Sequence, residues 1–256
     1  MIRYVVKLVS LSSKSGKTTV GTRLVEYLRR NGYNVGVIKH CHRGILLDIK
    51  DSSRYLEVGA DEVLASSKDL IVIYRRPLVD DLRKVLEYMN TPIVVVEGYR
   101  GSDIGDNVGV VRDISDFREL LRILPKKLDT VVSNDDEVFK EALSSGIKAF
   151  RFNEVRLLSE WVEKRALESI VESLPRKDCG LCGYSSCEVF AQAYLKGVNT
   201  RCVHTQQLVR LLVNDVEIAL NPFVSSLISS LVNGLVNTLK GIPSRRDRIV
   251  IEVSNK

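Results

Sequence analysis

Hydrophobic residues in the first 150 or so positions form short, nearly continuous apolar runs between amphipathic segments. The clearest runs are residues 3–9 (RYVVKLV), 35–39 (VGVIK) and 93–97 (IVVVE). Strands that are buried on both faces of a parallel sheet have this character. We predict further strands at 62–66, 70–74, 108–112, 129–133 and 148–152, and helices at 17–30, 51–59, 79–89 and 135–145. Strands and helices in alternation predict an α/β fold with a mostly parallel sheet covered by helices.

The rest of the chain follows a different pattern. Asn153 caps a predicted long helix, which Pro175 ends, and four cysteines follow. Beyond them we predict a hairpin around Asn214-Asp215, a helix with one apolar face at 222–239, and a closing strand, IVIEV. The order of elements predicts four parts: a phosphate-loop domain at 1–153, a connecting helix at 154–174, a four-cysteine domain at 175–207 and a β-β-α-β unit at 208–256.

Composition narrows the class of protein and of partner. The chain is 45% hydrophobic and 27% charged, as globular proteins are, and its net charge of +6 favours anionic partners. The longest apolar stretch, 220–239, is interrupted by asparagines, a proline and serines, which makes it too polar for a membrane span. We therefore expect a cytoplasmic protein whose five cysteines are thiols or metal ligands rather than disulfides.

Residues 11–19 (LSSKSGKTT) follow the first predicted strand and open the first predicted helix. They match the phosphate-loop pattern G-x-x-x-x-G-K-[ST] except that Leu11 replaces the first glycine. Gly16 permits a tight backbone, Lys17 suits terminal phosphates and Thr18 offers a hydroxyl to Mg²⁺. The positive end of the helix dipole adds to this attraction for phosphate. We predict a nucleotide site rather than a serine-rich turn that only caps a helix.

Two further segments end strands at the same edge of the predicted sheet. Glu97 follows an apolar strand, where it can complete the Mg²⁺ shell or orient a water. Residues 39–42 (KHCH) follow the second strand and invite a metal-site interpretation. We favour Lys39, His40 and His42 facing phosphates or a partner, with plain exposed loop residues as the remaining alternative.

The first 150 or so residues resemble the molybdopterin-guanine dinucleotide biosynthesis protein B family, MobB. The resemblance is carried by SKSGKTT, VGVIKHCH, KDSSRYLEVGADEVLASS and VVVEGYRG, followed by VVRD, in the order of the family. The chain departs from the family at Ile49, where a glycine is usual, and at Arg43, where the family has a histidine. Family members also vary at the position of Leu11.

The resemblance implies a GTP-binding P-loop protein with weak GTPase activity. It further implies a role in assisting a guanylyltransferase (MobA-like) that joins GMP to molybdopterin or tungstopterin, and it suggests a homodimer. On this basis Lys17 and Glu97 serve catalysis, and Thr18 and Glu97 hold Mg²⁺. The implied nucleotide and loop residues are Ser15, Gly16, Lys17, Thr18, Thr19, Lys39, His40, His42, Asp51 and Ser52. We assign guanine recognition to Ser133, Asn134 and Asp135, which end a late strand where related folds set guanine selectivity.

Four cysteines have the spacing C-x₂-C-x₄-C-x₁₄-C: Cys179, Cys182, Cys187 and Cys202. Four thiolates can hold zinc or a [4Fe–4S] cluster. Glycines beside the ligands and the helical segment CEVFAQAYLKG favour the cluster, and the segment resembles the small iron–sulfur domain of electron-transport and corrinoid proteins. Zinc and free thiols are the alternatives, and Cys41 stands apart from the four. As hypotheses, the cluster is structural or senses redox state.

Two other functions compete with the pterin-dinucleotide interpretation. A P-loop ATPase that delivers a metal or an iron–sulfur cluster would also combine a phosphate loop, KHCH and cysteines. A nucleic-acid-binding module is the least favoured, because the sequence has no helicase motif, helix-turn-helix or interleaved aromatic and basic strand. A preference for GTP or for ATP separates the first two interpretations.

Overall fold

The computed structural model describes residues 2–12, 14–41, 50–75, 79–180, 182–198, 202, 209, 211–214, 216–218, 220, 222–242 and 249–253; of 50–53, 217 and 222 it describes the backbone alone. The chain forms two compact units, Met1–Thr200 and Arg201–Lys256. No described helix has both the length and the apolar character needed to cross a lipid bilayer.

The strands described in the first unit are β1 (Tyr4–Val9), β2 (Val35–Lys39), β3 (Glu62–Ser66), β4 (Ile71–Arg75), β5 (Ile93–Glu97), β6 (Asp106–Val110), β7 (Thr130–Val132) and β8 (Lys148–Phe150). The helices are α1 (Lys17–Arg30), α2 (Lys50–Glu57), α3 (Leu82–Leu86), α4 (Ile114–Ile123), α5 (Asp136–Ser144), α6 (Val155–Glu172) and α7 (Cys187–Leu195). A 3₁₀ turn, Phe152–Glu154, precedes α6.

Six strands form one sheet in the order β2-β5-β1-β6-β7-β8. Every pairing in this sheet is parallel, which confirms the predicted α/β fold. The apolar runs of β1 and β5 are fully buried because neighbouring strands and helices cover them on all sides. Strands β3 and β4 form a separate antiparallel hairpin.

Helices cover the sheet on both faces. The buried residues of α1 recur at Val20, Leu24 and Leu28, so one stripe of the helix faces the sheet. On the opposite face, two apolar clusters join the sheet to α3 and to α4 with α5. Burial on both faces makes the sheet a rigid support for the loops at its edges.

The structure differs from the sequence predictions at two helices, α3 and α4. Helix α4 was not predicted, although Asp113 caps it and Phe117 and Leu120 bury its apolar side. Helix α3 is shorter than the predicted 79–89, since Asp81 caps its N-terminus directly before Leu82 and the helix ends at Leu86. Helix α6, predicted to lead from the first domain to the next region, packs against α1 and β1 within the first unit, and the predicted domain bounds remain predictions.

The second unit contains β9 (Leu211–Val213), β10 (Val216–Ile218) and α8 (Pro222–Thr238). The two strands form the predicted antiparallel hairpin. The predicted closing strand is wrong for the described backbone, because residues 249–253 are not part of a strand there. An apolar segment becomes a strand only by pairing, and the pairing described in this unit is that of β9 with β10. Within the described residues, this unit is therefore β-β-α.

Candidate functional site

The candidate site lies where the carboxyl ends of the parallel strands meet at one edge of the sheet. The loop after β1 lies between the loops that follow β5 and β6, because these are the neighbours of β1. In open α/β sheets, ligands bind outside the carboxyl ends of the strands. The described ends of β2, β7 and β8 lie at the same edge.

The phosphate-loop segment has the backbone that its sequence predicts. Gly16 caps α1 with φ 98°, a left-handed conformation that L side chains rarely adopt. Leu11, in contrast, has no positive φ, and its side chain packs against the apolar cluster around Val9 and Phe117. A leucine therefore fits this position without backbone strain, which accounts for the departure from the glycine pattern.

Lys17 lies within the loop that precedes it. Its ammonium donates hydrogen bonds to the carbonyl of Ser12 at 3.0 Å and to the hydroxyls of Ser15, at 3.3 Å, and Ser10. Ser15 is itself buried. The loop thus holds the ammonium at the N-terminus of α1, where backbone N–H groups have no partner within the helix.

Partial burial lowers the pKa of Lys17, and three neighbouring cations, Lys39, Arg100 and Arg112, lower it further. Glu97 acts in the opposite direction and partly compensates. Cations brought this close repel one another, so an anion placed among them would be stabilised. Arg100 and Arg112 were not predicted as site residues, although each lies in the loop after a strand, β5 or β6.

Thr18 and Glu97 come together as predicted from their motifs. The Thr18 hydroxyl lies 3.0 Å from each carboxylate oxygen of Glu97, to which it donates. Lys39 adds an ion pair to the same carboxylate at 3.7 Å. A hydroxyl and a carboxylate are oxygen ligands of the kind that Mg²⁺ prefers, so the residues present fit this ion. Thr19 is exposed beside Thr18.

His40 faces Tyr99 and Asp80. Its ring stacks on that of Tyr99 with centroids 4.1 Å apart, and its Nε2 lies 2.7 Å from Asp80 Oδ2. The Tyr99 hydroxyl donates to the other oxygen of Asp80 at 2.6 Å. Burial first, and then the Asp80 carboxylate, raise the pKa of Tyr99. Asp80 and Tyr99 were missed in the sequence because they act through contacts that span 40 and 19 positions.

The loops after β7 and β8 meet the phosphate loop from the other side. Asn134 Oδ1 accepts a hydrogen bond from the backbone N–H of Phe152 at 3.2 Å. A Cβ built on Gly16 would lie 2.6 Å from the Phe152 ring, so the ring covers this glycine. Phe152 was not predicted as a site residue, since nothing in RFNE resembles a nucleotide motif.

The other two residues assigned to guanine recognition have structural partners. The Ser133 hydroxyl is buried and accepts from the N–H of Asp135 at 3.1 Å. The Asp135 carboxylate caps α5 by accepting from Glu137 N–H at 2.8 Å and Val138 N–H at 3.1 Å. Of the three predicted residues, Asn134 is therefore the one with a side chain directed to the site.

Three predicted residues fall partly or wholly outside this description. His42 lies outside the described residues. Asp51 and Ser52 lie in the first turn of α2, where the sequence pattern predicted a helix start, but only their backbone is described. Their assignments remain predictions.

The cysteine segment is attached at the opposite edge of the sheet. Tyr194 on α7 donates to the carbonyl of Ile2 at 2.6 Å, and Leu195 accepts from the N–H of Asn34 at 2.9 Å. Ile2 and Asn34 precede β1 and β2. Phe190 on α7 is buried and stacks on Tyr194 with ring centroids 6.0 Å apart. The candidate site, at the carboxyl ends of the strands, and α7 of the cysteine segment are thus at opposite edges of the sheet.

The four cysteines differ in exposure: Cys179 is exposed, Cys182 and Cys187 are half-buried and Cys202 is buried. Among the described residues, no three His, Cys, Asp or Glu side chains converge as a metal site. Gly180 and Gly183 have positive φ, so the backbone turns tightly around the first two cysteines. Four thiols are the donor set of an iron–sulfur or zinc site, and the residues fit such a group by their chemistry.

Comparisons with known proteins give two family matches. The model of "Molybdopterin guanine dinucleotide synthesis protein B" matches residues 5–135. The model of "Putative Fe-S cluster" matches residues 174–204, which include all four cysteines of the predicted site.

Curated relatives and a solved structure agree with these matches. A Methanocaldococcus jannaschii protein, "Putative molybdopterin-guanine dinucleotide biosynthesis adapter protein", is 26% identical over 94% of this chain and 94% of its own length. The "Molybdopterin-guanine dinucleotide biosynthesis adapter protein" of Haemophilus influenzae is 33% identical over 36% of this chain and 55% of its own length. The crystal structure of Bacillus subtilis MobB superposes with a TM-score of 0.50 at 23% identity, covering 60% of this chain and 95% of that one, which supports the fold.

Proposed function

The chain belongs to the molybdopterin guanine dinucleotide synthesis protein B family, MobB, and we propose that it binds GTP with Mg²⁺ at its phosphate loop as an adapter of molybdopterin-guanine dinucleotide biosynthesis. The observation that carries the proposal is the pairing of Thr18 with Glu97. These residues come from segments 79 positions apart, and their oxygens lie 3.0 Å from each other beside Lys17. A degenerate loop that only capped a helix would need neither the acid nor the lysine there.

The proposal gives a separate role to Lys17 and Thr18 of the loop and to the two residues beside it, Glu97 and Lys39. Lys17 binds the terminal phosphates, and the first-turn N–H groups of α1 bind phosphate oxygens. Thr18 and Glu97 would hold Mg²⁺, which supplies positive charge that neutralises the phosphates. Lys39 orients Glu97 through their ion pair. Hydrolysis of GTP is expected to be weak, and Glu97 and Lys17 are the residues on which it depends.

The partners follow from the family. We propose that the chain assists a guanylyltransferase (MobA-like) that attaches GMP to molybdopterin or tungstopterin. Two relatives carry the word adapter in their names, which supports an auxiliary rather than a transferase role. A cytoplasmic location and a homodimer remain predictions from the sequence and the family.

We further propose that Cys179, Cys182, Cys187 and Cys202 hold a [4Fe–4S] cluster. The match of residues 174–204 to an iron–sulfur family model favours iron–sulfur over zinc. Such a cluster would supply either a covalent cross-link within the cysteine segment or a redox-sensitive group.

The adapter role is tested by reconstituting GMP transfer to molybdopterin with a guanylyltransferase, with and without this chain. We expect wild-type protein to increase cofactor formation and Lys17→Ala to lose that increase. Lys164→Ala is the control, because Lys164 lies on α6 with its side chain mostly exposed and paired to Glu168. An equal increase from wild type and Lys17→Ala would exclude a nucleotide-dependent adapter role.

A further inference from the structure

The strand order defines which end of the proposed nucleotide site would hold the metal and which end would hold the nucleoside. Thr18, Glu97 and Lys39 mark the metal end of the site, at the loops after β1, β5 and β2. Strands β7 and β8 lie on the other side of β1, beyond β6. With the terminal phosphates and Mg²⁺ at the β5 side, the nucleoside part of a bound nucleotide extends toward β7 and β8.

Phe152, in the 3₁₀ turn after β8, is an aromatic residue at this end of the site. Its ring is half-buried and lies against Gly16, within the phosphate loop itself. Two hydrogen bonds fix its backbone: its N–H donates to Asn134 Oδ1, and its carbonyl accepts from Arg23 Nη1 at 3.2 Å. A ring whose backbone is held from two elements is a rigid surface on which a base can stack at low entropic cost.

The two oxygen atoms of Asn134 already accept hydrogen bonds within the protein, and its side-chain Nδ2 is the group that faces outward. Its Oδ1 accepts from Phe152, and its carbonyl accepts from Arg151 Nη1 at 2.5 Å. Arg151 is in turn fixed by an ion pair with Asp136 and by the Phe139 ring, 4.0 Å from its guanidinium carbon. The exposed Asn134 amide therefore offers its Nδ2 hydrogens, which are donors, to solvent or a ligand.

A donor at this place discriminates between purine bases. Guanine presents two acceptors on one edge, O6 and N7, whereas adenine presents an amino donor in place of O6. An amide NH₂ can donate to O6 of guanine but meets another donor at the amino group of adenine. The arrangement therefore favours guanine.

We propose that Phe152 and Asn134 form the nucleoside subsite of this chain: the Phe152 ring stacks on the base, and Asn134 Nδ2 donates to O6 of guanine. This inference rests on the proposed binding of GTP at Lys17. It assigns selectivity to Asn134 with Phe152, and it gives Ser133 and Asp135 the structural roles of supporting the loop and capping α5.

Phe152 is tested by titrating GTP and inorganic triphosphate, each with Mg²⁺, into wild type, Phe152→Ala, Phe152→Tyr and Lys17→Ala. Base stacking contributes an affinity factor of about 10-fold or more, so Phe152→Ala should weaken GTP binding by about that factor. Triphosphate has no base, and its affinity should change less than about twofold in Phe152→Ala. Phe152→Tyr should bind GTP as wild type does, and Lys17→Ala should weaken both ligands.

Asn134→Asp tests the selectivity. This change keeps Oδ1 as an acceptor for Phe152 N–H and removes the Nδ2 donors. Affinity for GTP and for ITP, which both carry O6, should fall by about 10-fold or more, while ATP affinity stays unchanged or rises. Asn153→Asp is the matched control, because it makes the same chemical change at an exposed neighbouring position and should leave the GTP-to-ATP ratio unchanged.

The outcomes separate the two proposals. If wild type binds GTP no better than Lys17→Ala does, the proposed function fails and the subsite fails with it. If wild type binds GTP through Lys17 but Phe152→Ala binds it equally well, the subsite alone is wrong. An equal loss of GTP and triphosphate in Phe152→Ala would also overturn it, because the ring would then support only the phosphate loop.

Discussion

Gly16 meets two conditions that a larger residue cannot. Its φ of 98° lies in the left-handed region, and a Cβ there would approach the Phe152 ring to 2.6 Å. Gly16→Ala should therefore lower the free energy of unfolding by about 1–2 kcal/mol from backbone strain alone. The displaced Phe152 ring should also weaken GTP binding. Urea unfolding and nucleotide titration on the same preparation measure both effects.

Gly234 provides the control for adding a methyl group. It lies inside α8, and a Cβ there would meet no atom within 4 Å. Gly234→Ala should raise the stability of its helix by about 0.5–1 kcal/mol. A Gly16→Ala protein as stable as wild type would contradict the strain argument.

Lys7 is a buried lysine whose titration links stability to pH. Burial, and then the charge of Lys126, lower its pKa from 10.5 to about 8. The unfolded chain therefore binds more protons than the folded one between pH 8 and 10.5, and this residue's contribution to stability rises with pH across that window. Below pH 8 the full penalty for burying the charged form is present.

The prediction compares wild type with Lys7→Met. Wild type should gain stability relative to Lys7→Met by on the order of 2 kcal/mol when the pH rises from 8 to 10.5. Urea unfolding of both proteins at pH 7, 8 and 10 measures the difference. Parallel curves for the two proteins over this range would show that Lys7 titrates normally.

The residues of the site differ in how far the sequence could reveal them. Gly16, Lys17 and Thr18 are consecutive, and their motif carries its own chemistry. Glu97 was found because an acid after an apolar strand is itself a local signal. Phe152 and Asp80 have no such signal, since their roles arise from contacts with Gly16 and His40 that only the folded chain creates.

At the scale of elements, the Glu163 carboxylate on α6 forms hydrogen bonds with α1 and with the segment that follows α1. Glu163 accepts hydrogen bonds from Tyr27 at 3.1 Å and from Tyr33 at 2.6 Å. Burial and this carboxylate raise the pKa of both phenols. Glu163→Ala should lower the free energy of unfolding by about 1–3 kcal/mol, because two partly buried hydroxyls lose their acceptor.

Glu160→Ala is the matched control for the same helix. Glu160 pairs with Arg156 one turn away, on a largely exposed surface. Exposed pairs contribute about 0–1 kcal/mol, so this variant should unfold close to wild type. Equal urea midpoints for Glu163→Ala and Glu160→Ala would mean that the tyrosine contacts do not stabilise the α1–α6 interface.

Elements with a strong apolar run were predictable, and those defined by pairing or packing were not. The bounds of α1, β2 and β5 match the predicted ranges, because apolar period and length together define them. The strand expected at 249–253 fails for the opposite reason: its sequence is suitable, but a strand needs a partner. The packing partners of α6 were not predicted, because an apolar helix face indicates that it is buried but not which elements cover it.

At the scale of the first unit, the phosphate loop and the helix of the cysteine segment, α7, lie at opposite edges of one sheet. Helix α1 begins at the phosphate loop, and the segment after it leads to Asn34, which contacts α7. The described part of the cysteine segment is therefore attached to the sheet edge opposite the proposed nucleotide site. Loss of a cluster should leave GTP affinity within about twofold of the wild-type value, because α7 contacts Ile2 and Asn34 at the sheet edge opposite the phosphate loop.

Cysteine variants test this separation. Cys182→Ser should lose most of the bound iron and sulfide and the visible absorption of anaerobically purified protein, and Cys41→Ser should retain them. Both should bind GTP as wild type does. Full iron content in Cys182→Ser, or zinc in place of iron in wild type, would contradict the [4Fe–4S] assignment.

The central claim is that the loop from Leu11 to Thr19 is a working GTP site. The most direct measurement is an anaerobic calorimetric titration of wild type and Lys17→Ala with GTP and with ATP, each with and without Mg²⁺. The account predicts GTP binding that strengthens with Mg²⁺, exceeds ATP binding and falls at least about 10-fold in Lys17→Ala. Tighter binding of ATP, or GTP binding that is the same in Lys17→Ala, would contradict it.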